Sequence, residues 1–189
     1  MNSSQVRGYI LQSAVSYLRK TAGDKSGQII ERLSPQARNS IETAREAMWC
    51  PSSHTSEVYR AIAAVRDNVE DRVRADLIEC GNFTAREAST TFLRLVMKLL
   101  TPTMFAKKLP DLWLRDCTAG KITAEVQDTK IRNTFTDIEG FDHIAPVAVG
   151  FVTFALSNMG KKITKTDLQG WSIATPGPAT FTLEVHWEN

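Results

Sequence analysis

Cysteine is scarce in this 189-residue chain, which has Cys50, Cys80 and Cys117, an odd number set far apart. With no C-x-x-C pair there is neither a zinc knuckle nor a thioredoxin-type dithiol to expect, and a scattered odd set fits a reducing compartment. Histidine is equally sparse: His54, His143 and His186. None sits beside a Ser or Cys in a strained-turn motif such as G-x-S-x-G, and H-E-x-x-H and calcium-loop patterns are missing. The expectation is therefore a protein that is not an enzyme and holds no metal. The glycines never form G-x-G-x-x-G or a P-loop, so no phosphate cradle is expected. Charge is nearly balanced, 23 basic against 21 acidic residues with a net charge of +2. That leaves no concentrated cation surface for a phosphate backbone, and no nucleic-acid partner is expected. Basic residues do gather at Arg72–Arg74 and Lys107–Lys108. Glu70, Asp71, Asp76 and Glu79 interleave the first group, as on a solvated helix face. Long apolar runs are lacking as well: Phe92–Leu100 and Ile144–Leu156 are too short or too interrupted to cross a bilayer. Met1–Tyr9 lacks a signal peptide's apolar core, so no membrane span is expected and the cytoplasm is the expected location.

What is present is an ordinary globular composition, 42% hydrophobic and 23% charged. A chain this long folding as one domain over residues 1–189 buries roughly 70% of its unfolded surface and needs no disulfide. Leu11–Lys20 reads as a helix closed near Gly23. Ser34-Pro35 has the form of an N-cap followed by proline at the first helical position, opening a helix to about Ala47 that Trp49-Cys50-Pro51 breaks. A further helix covers roughly Ser56–Val65. Val69, Val73, Leu77 and Cys80 form one helical stripe, which Gly81-Asn82 interrupts. Thr84-Ala85-Arg86-Glu87 reads as a capping box for a following helix with Phe92 and Leu95 on its apolar face. Thr101-Pro102 starts another through Trp113, bent or divided at Pro110 and ended at Gly120.

From Gly120 the period changes from helical to alternating. Ile122, Ala124 and Val126 alternate with polar residues, and Asp128–Lys130 turns into a second strand over Ile131–Asp137. A helix from about Asp142 to Met159, closed by Gly160, precedes two more strands, Lys162–Ala174 and Ala179–Trp187. Pro176-Gly177 between them reads as a type II turn. The inventory predicts an α+β fold: N-terminal helices (about 1–119) packed on a C-terminal four-stranded antiparallel sheet (about 120–189) with an inserted helix.

Chemistry has few footholds. Asp137, Glu139, Asp142 and His143 cluster before the late helix, where they could hold a cation but more simply cap the helix and complement its dipole. Cys50, read as exposed beside Trp49, and Cys80, read as buried, are more simply small core hydrophobes than reactive thiols. The remaining signal is an apolar surplus. Phe92, Leu95, Val96, Met104, Phe105, Trp113, Phe151 and Phe154 are the residues that would line a pocket for an apolar ligand; the alternative is that they are plain core.

Val6-x-Gly8, Leu33-Ser34-Pro35, Trp49-Cys50-Pro51, Thr101-Pro102 and Leu109-Pro110-x-x-Trp113 form a spaced series. Gly120, Pro146-x-x-x-Gly150 and Phe181-x-x-x-x-His186-Trp187 complete it. In this series the chain resembles an uncharacterised bacterial family expanded in the myxobacteria. That family is distantly similar to the haem-nitric-oxide-binding, vinyl-reductase-like and trafficking-subunit domains. The resemblance implies helices combined with a four-stranded antiparallel sheet around an apolar cavity, and a sensory or adaptor role. Haem-binding members rely on a proximal histidine and a Tyr-x-Ser-x-Arg signature, and Tyr17-Leu18-Arg19 does not match it. The expectation is thus that no cofactor is present; haem is the candidate the resemblance raises, and it is not expected. Two functions follow: a non-catalytic cytoplasmic regulatory module binding a small hydrophobic ligand between helices and sheet, or a homodimeric protein-interaction adaptor. An enzyme with scattered catalytic residues is the third.

Overall fold

The computed structural model describes residues 4–89, 97–138 and 140–188. Short strand β1 (Gln5–Arg7) leads into α1 (Gly8–Ala22), which ends where Gly23 turns the chain at φ 54°. A single 3-10 turn and the six-residue α2 (Ser26–Glu31) follow. In α3 (Pro35–Thr43) the Ser34 hydroxyl accepts from the Ala37 amide at 3.1 Å, the cap that Ser-Pro foretells, but the helix stops short of Ala47. Trp49-Cys50-Pro51 is more than a break. It forms β2 (Trp49–Pro51), antiparallel to β1 with Val6 opposite Cys50, and α4 (Ser52–Val65) begins immediately after it. Cys50 is buried rather than exposed, because this pairing turns its side chain into the core.

The largest departure lies in α5, one continuous helix over Glu70–Ala88. Gly81 does not interrupt it, and Thr84 is no N-cap: its hydroxyl donates to the Cys80 carbonyl at 2.9 Å, inside the helix. A glycine costs a helix interior about 1 kcal/mol relative to alanine, and tertiary packing outweighs that here. Helix α6 (Pro102–Asp116) opens on Thr101, whose hydroxyl accepts from the Met104 amide at 3.2 Å, and it carries Pro110 without dividing.

The C-terminal half follows the alternation closely. β3 (Lys121–Gln127) and β4 (Lys130–Thr136) form a hairpin. Helix α7 (Ile144–Asn158) is next, then β5 (Lys162–Gln169) and β6 (Phe181–Glu188). The sheet order is β3-β4-β6-β5, antiparallel throughout, with Asn133 opposite Leu183 and Phe135 opposite Phe181. β5 ends earlier than Ala174, where alternation places its end, because Gly170 (φ 87°) turns the chain there; Gly177 is not in the positive-φ region that a type II turn needs.

Helix α7 is apolar nearly all round, the mark of a helix covered on both sides. It packs on β5 and β6 and on α5. The two helices approach closely at glycine: Gly81 on α5 and Gly150 on α7 face each other, and a Cβ added at Gly150 would stand 2.8 Å from the Gly81 Cα and 2.6 Å from the Asn82 amide. One cluster of buried apolar side chains runs from Val6 to Trp187 and takes in both halves. Among the described residues no helix is long and apolar enough to cross a membrane.

Gly150→Ala is expected to cost about 1–3 kcal/mol by overpacking, lowering the thermal midpoint by roughly 2–4 °C per kcal/mol in a domain of this size. The control is Gly27→Ala, where an added Cβ meets nothing within 4 Å. Circular-dichroism melts that show equal, small effects at both positions would rule out the tight crossing.

Candidate ligand site

The interior between the helices and the sheet is built mostly from aromatic and aliphatic groups. Phe135, pointing inward from β4, stacks on Phe181 of β6 with ring centroids 4.2 Å apart. Trp113 of α6 meets Phe135 edge-on at 5.4 Å while its indole N–H donates to the Ala119 carbonyl at 2.7 Å. Deeper in, Tyr59 of α4 stacks on Phe141 at 6.1 Å. The apolar residues expected to line a pocket fall into different settings. Phe105 is buried, and Trp113, Phe151 and Phe154 are partly buried. Met104 is 49% exposed, so it faces outward. Phe92, Leu95 and Val96 lie outside the described residues. The structure brings Trp113 into the aromatic cluster with Phe135 and Phe181, two residues that alternation places on inward-facing positions of their strands.

At several places in the core lie buried polar atoms that helix-stripe reasoning does not single out. Thr55 Oγ1, Tyr59 Oη, Asn133 Oδ1 and Nδ2, His143 Nδ1 and Trp171 Nε1 are buried and, among the described residues, have no hydrogen-bond partner. Thr55 and Tyr59 are one turn apart on α4. Asn133 sits on the inner face of β4 between Ile131 and Phe135, with Ala124 and Leu183 as its cross-strand neighbours. An unpaired buried polar group costs roughly 1–3 kcal/mol. A native structure that keeps several has a reason for them, and bound water or ligand is the usual one. The legible signal is Asn133 itself, a polar residue at an inward position of an alternating strand.

His143 is the most constrained of these. It is 4% exposed, holds the left-handed conformation at φ 61°, and donates its backbone N–H to the Pro176 carbonyl at 2.6 Å. The ring packs edge-on against Trp171, centroids 6.0 Å apart. Burial pushes its pKa down to about 4, Asp142 opposing and Arg60 reinforcing the shift, so the imidazole is neutral near pH 7. Asp142 does not cap α7, as its position suggests. Its carboxylate pairs with Arg60 of α4, its backbone N–H donates to Ser56 Oγ at 3.0 Å, and the N-cap position falls to His143 with no side-chain cap. Glu139 lies outside the described residues. The thiols of Cys80 and Cys117 are held protonated by burial, Cys117 near 12, and Tyr59 is likewise pushed up.

Comparison with protein-family profiles and with curated proteins returns no match. Comparison with solved structures does. The chain aligns over 97% of its length with a mutant H-NOX protein from S. oneidensis in the Fe(II) ligation state, covering 96% of that chain at TM-score 0.71 and 14% identity. The Fe(II)NO state of an H-NOX protein from the same organism matches at TM-score 0.70 and 15% identity, with 99% of that chain covered. An oxygen-binding H-NOX domain related to soluble guanylate cyclases matches at TM-score 0.63 and 11% identity, with 95% of that chain covered. The chain has the H-NOX fold. Its distant similarity to haem-nitric-oxide-binding domains is thereby shown, at the level of architecture.

These matches correct the expectation that no cofactor is present and that haem is not to be expected. The proteins that share the fold are H-NOX proteins in Fe(II) and Fe(II)NO ligation states. The described residues, in this arrangement, do not fit a histidine-held haem. His54 Nδ1 is engaged by Ser40 Oγ at 2.8 Å, His186 lies 3.5 Å from Glu184 on the outer face of the sheet, and His143 is packed against Trp171. The space between α6 and the sheet is occupied by Trp113, Phe135 and Phe181.

The depressed pKa of His143 sets a pH dependence. Below the ordinary histidine value of 6.5 the unfolded chain binds a proton that the folded chain refuses until about pH 4. Stability is therefore lost as pH falls through that window, by at most about 1.4 kcal/mol per pH unit. Denaturant unfolding at pH 7, 5.5 and 4.5 is expected to show this loss in the wild type and a flatter profile in His143→Gln. Parallel profiles would remove His143 as the group responsible.

Proposed function

We propose that this chain is a sensory, regulatory module of the H-NOX fold that binds a small ligand between its helices and its sheet and performs no catalysis itself. The observation that carries the reading is Asn133. It is fully buried among apolar neighbours with both amide atoms unpaired, and Tyr59, His143 and Trp171 present further unpaired polar atoms to the interior. Such a site, apolar with a few polar groups, suits a small and largely apolar ligand that offers one or two hydrogen-bonding atoms. H-NOX proteins of the same fold are described in Fe(II)NO, Fe(II)CO and oxygen-bound states, which supports a ligand of that small size. Phe105, Trp113, Phe151 and Phe154 supply the apolar wall in this reading. Three buried free cysteines support a cytoplasmic setting.

A second reading, a homodimeric or partner-binding adaptor, rests on apolar side chains that α6 leaves in solvent: Met104 at 49%, Leu112 at 36% and Leu114 at 57% exposed. Light scattering at the monomer mass of 21.0 kDa would discard the dimer.

The test of the first reading combines native mass spectrometry with one substitution. The natively purified protein is expected to carry mass beyond the 21.0 kDa chain, a porphyrin being one readable outcome. Asn133→Leu removes the unpaired amide at similar volume, so it is expected to raise the melting temperature of ligand-free protein while lowering ligand occupancy. Bare protein in every charge state, together with an Asn133→Leu variant that simply loses stability, would defeat the proposal.

A further inference from the structure

A groove between α2 and α4, lined by none of the unpaired polar residues just described, has a volume of about 640 Å³. That lies inside the range of roughly 300–1,000 Å³ typical of small-molecule sites. Its floor is apolar: Ile29 and Leu33 on one side, Ala61, Ala64 and Val65 on the other. The alanines explain the trough. They recur with Val65 along one face of α4, where larger side chains would meet α2 and close the gap.

The rim carries one dominant sign of charge. Lys25, Arg32 and Arg60 line it, against a single lining acid, Glu57. Glu57 is already engaged, accepting from the Ser34 N–H at 2.8 Å and the Ser34 hydroxyl at 2.7 Å. Arg60 is committed to Asp142. Lys25 and Arg32 have no acidic partner among the described residues, though both stand exposed beside apolar ground. Isolated cations on a polar face need no explanation. Two unpaired cations bordering a greasy trough of ligand size are complementary to one class of molecule, an apolar body with an anionic end.

From this apolar trough and its unpaired cationic rim we infer that the α2–α4 groove is a binding site for a free amphipathic anion, such as a medium-chain carboxylate. The chain lies along Ile29, Leu33, Ala61 and Ala64, and the carboxylate meets Lys25 or Arg32. Because Arg60 both lines the groove and holds Asp142 next to His143, the groove stands one side chain away from the interior site without being part of it.

The test is calorimetric titration of the full chain with decanoate below its micelle concentration. Decyltrimethylammonium (same tail, opposite charge) and acetate (same charge, no tail) are the controls. Decanoate is expected to bind saturably at one site and the two controls not to bind. Lys25→Gln/Arg32→Gln should weaken decanoate at least tenfold, and Ala64→Leu, which fills the trough, should abolish binding. Both changes are at exposed positions, so melting temperatures should stay within a degree or two of wild type. Equal binding of the cationic amphiphile, or decanoate binding indifferent to all three substitutions, would overturn the inference. So would co-sedimentation with phosphatidylglycerol vesicles in place of binding to free decanoate, since that would make the groove a membrane contact.

Discussion

The close crossing of α5 and α7 at Gly81 and Gly150 is the constraint on which the rest of the molecule depends. With no side chain on either residue, two backbones approach until Cβ atoms could not fit. That approach seats α7 between α5 and the β5–β6 side of the sheet, joining the helical half to the strands. It also explains why α7 is apolar almost all round and why α5 tolerates a mid-helix glycine. The local penalty of that glycine, about 1 kcal/mol, is small against the dispersion and burial gained along two helices packed at backbone contact.

Holding α7 there fixes what lies at its N-terminus. His143 is forced into a left-handed conformation, tied by its amide to Pro176 and flanked by the Arg60–Asp142 pair that joins α4 to α7. Non-glycine residues in that region cost of order 1–3 kcal/mol and cluster at functional sites. Here the strain turns an imidazole away from solvent, to a place where burial keeps it neutral. The indole of Trp171 beside it, and elsewhere in the core the phenol of Tyr59 and the amide of Asn133, share the same energetic oddity. A core selected for stability alone would replace them by apolar groups of equal shape.

The H-NOX fold is reached here at 10–15% identity across nearly the whole chain. Architecture at that distance is maintained by the pattern of burial, while individual side chains at a site are free to change. In this chain inward positions 131, 133 and 135 of β4 carry Ile, Asn and Phe, and the aromatic trio of Trp113, Phe135 and Phe181 fills the space between α6 and the sheet. The shared fold therefore fixes where helices and sheet meet, and the side chains at that junction are this chain's own.

Residue order alone determined a good deal. Alternation over 121–127 and 181–188 dictated two strands and which of their residues face inward, because a strand's side chains have a period of two whatever surrounds it. Ser34-Pro35 and Thr101-Pro102 dictated two helix starts, because a capping hydroxyl and a fixed proline φ act within one turn of chain. Tertiary structure alone decided the rest. Whether Gly81 breaks a helix or admits a neighbour depends on Gly150, far along the chain. Whether Trp49-Cys50-Pro51 is a gap or a strand depends on Gln5–Arg7. Whether Asp142 caps α7 or reaches across to Arg60 depends on where α4 lies. Each of these is a contact between distant segments, and local propensity carries no information about which distant partner the chain will meet.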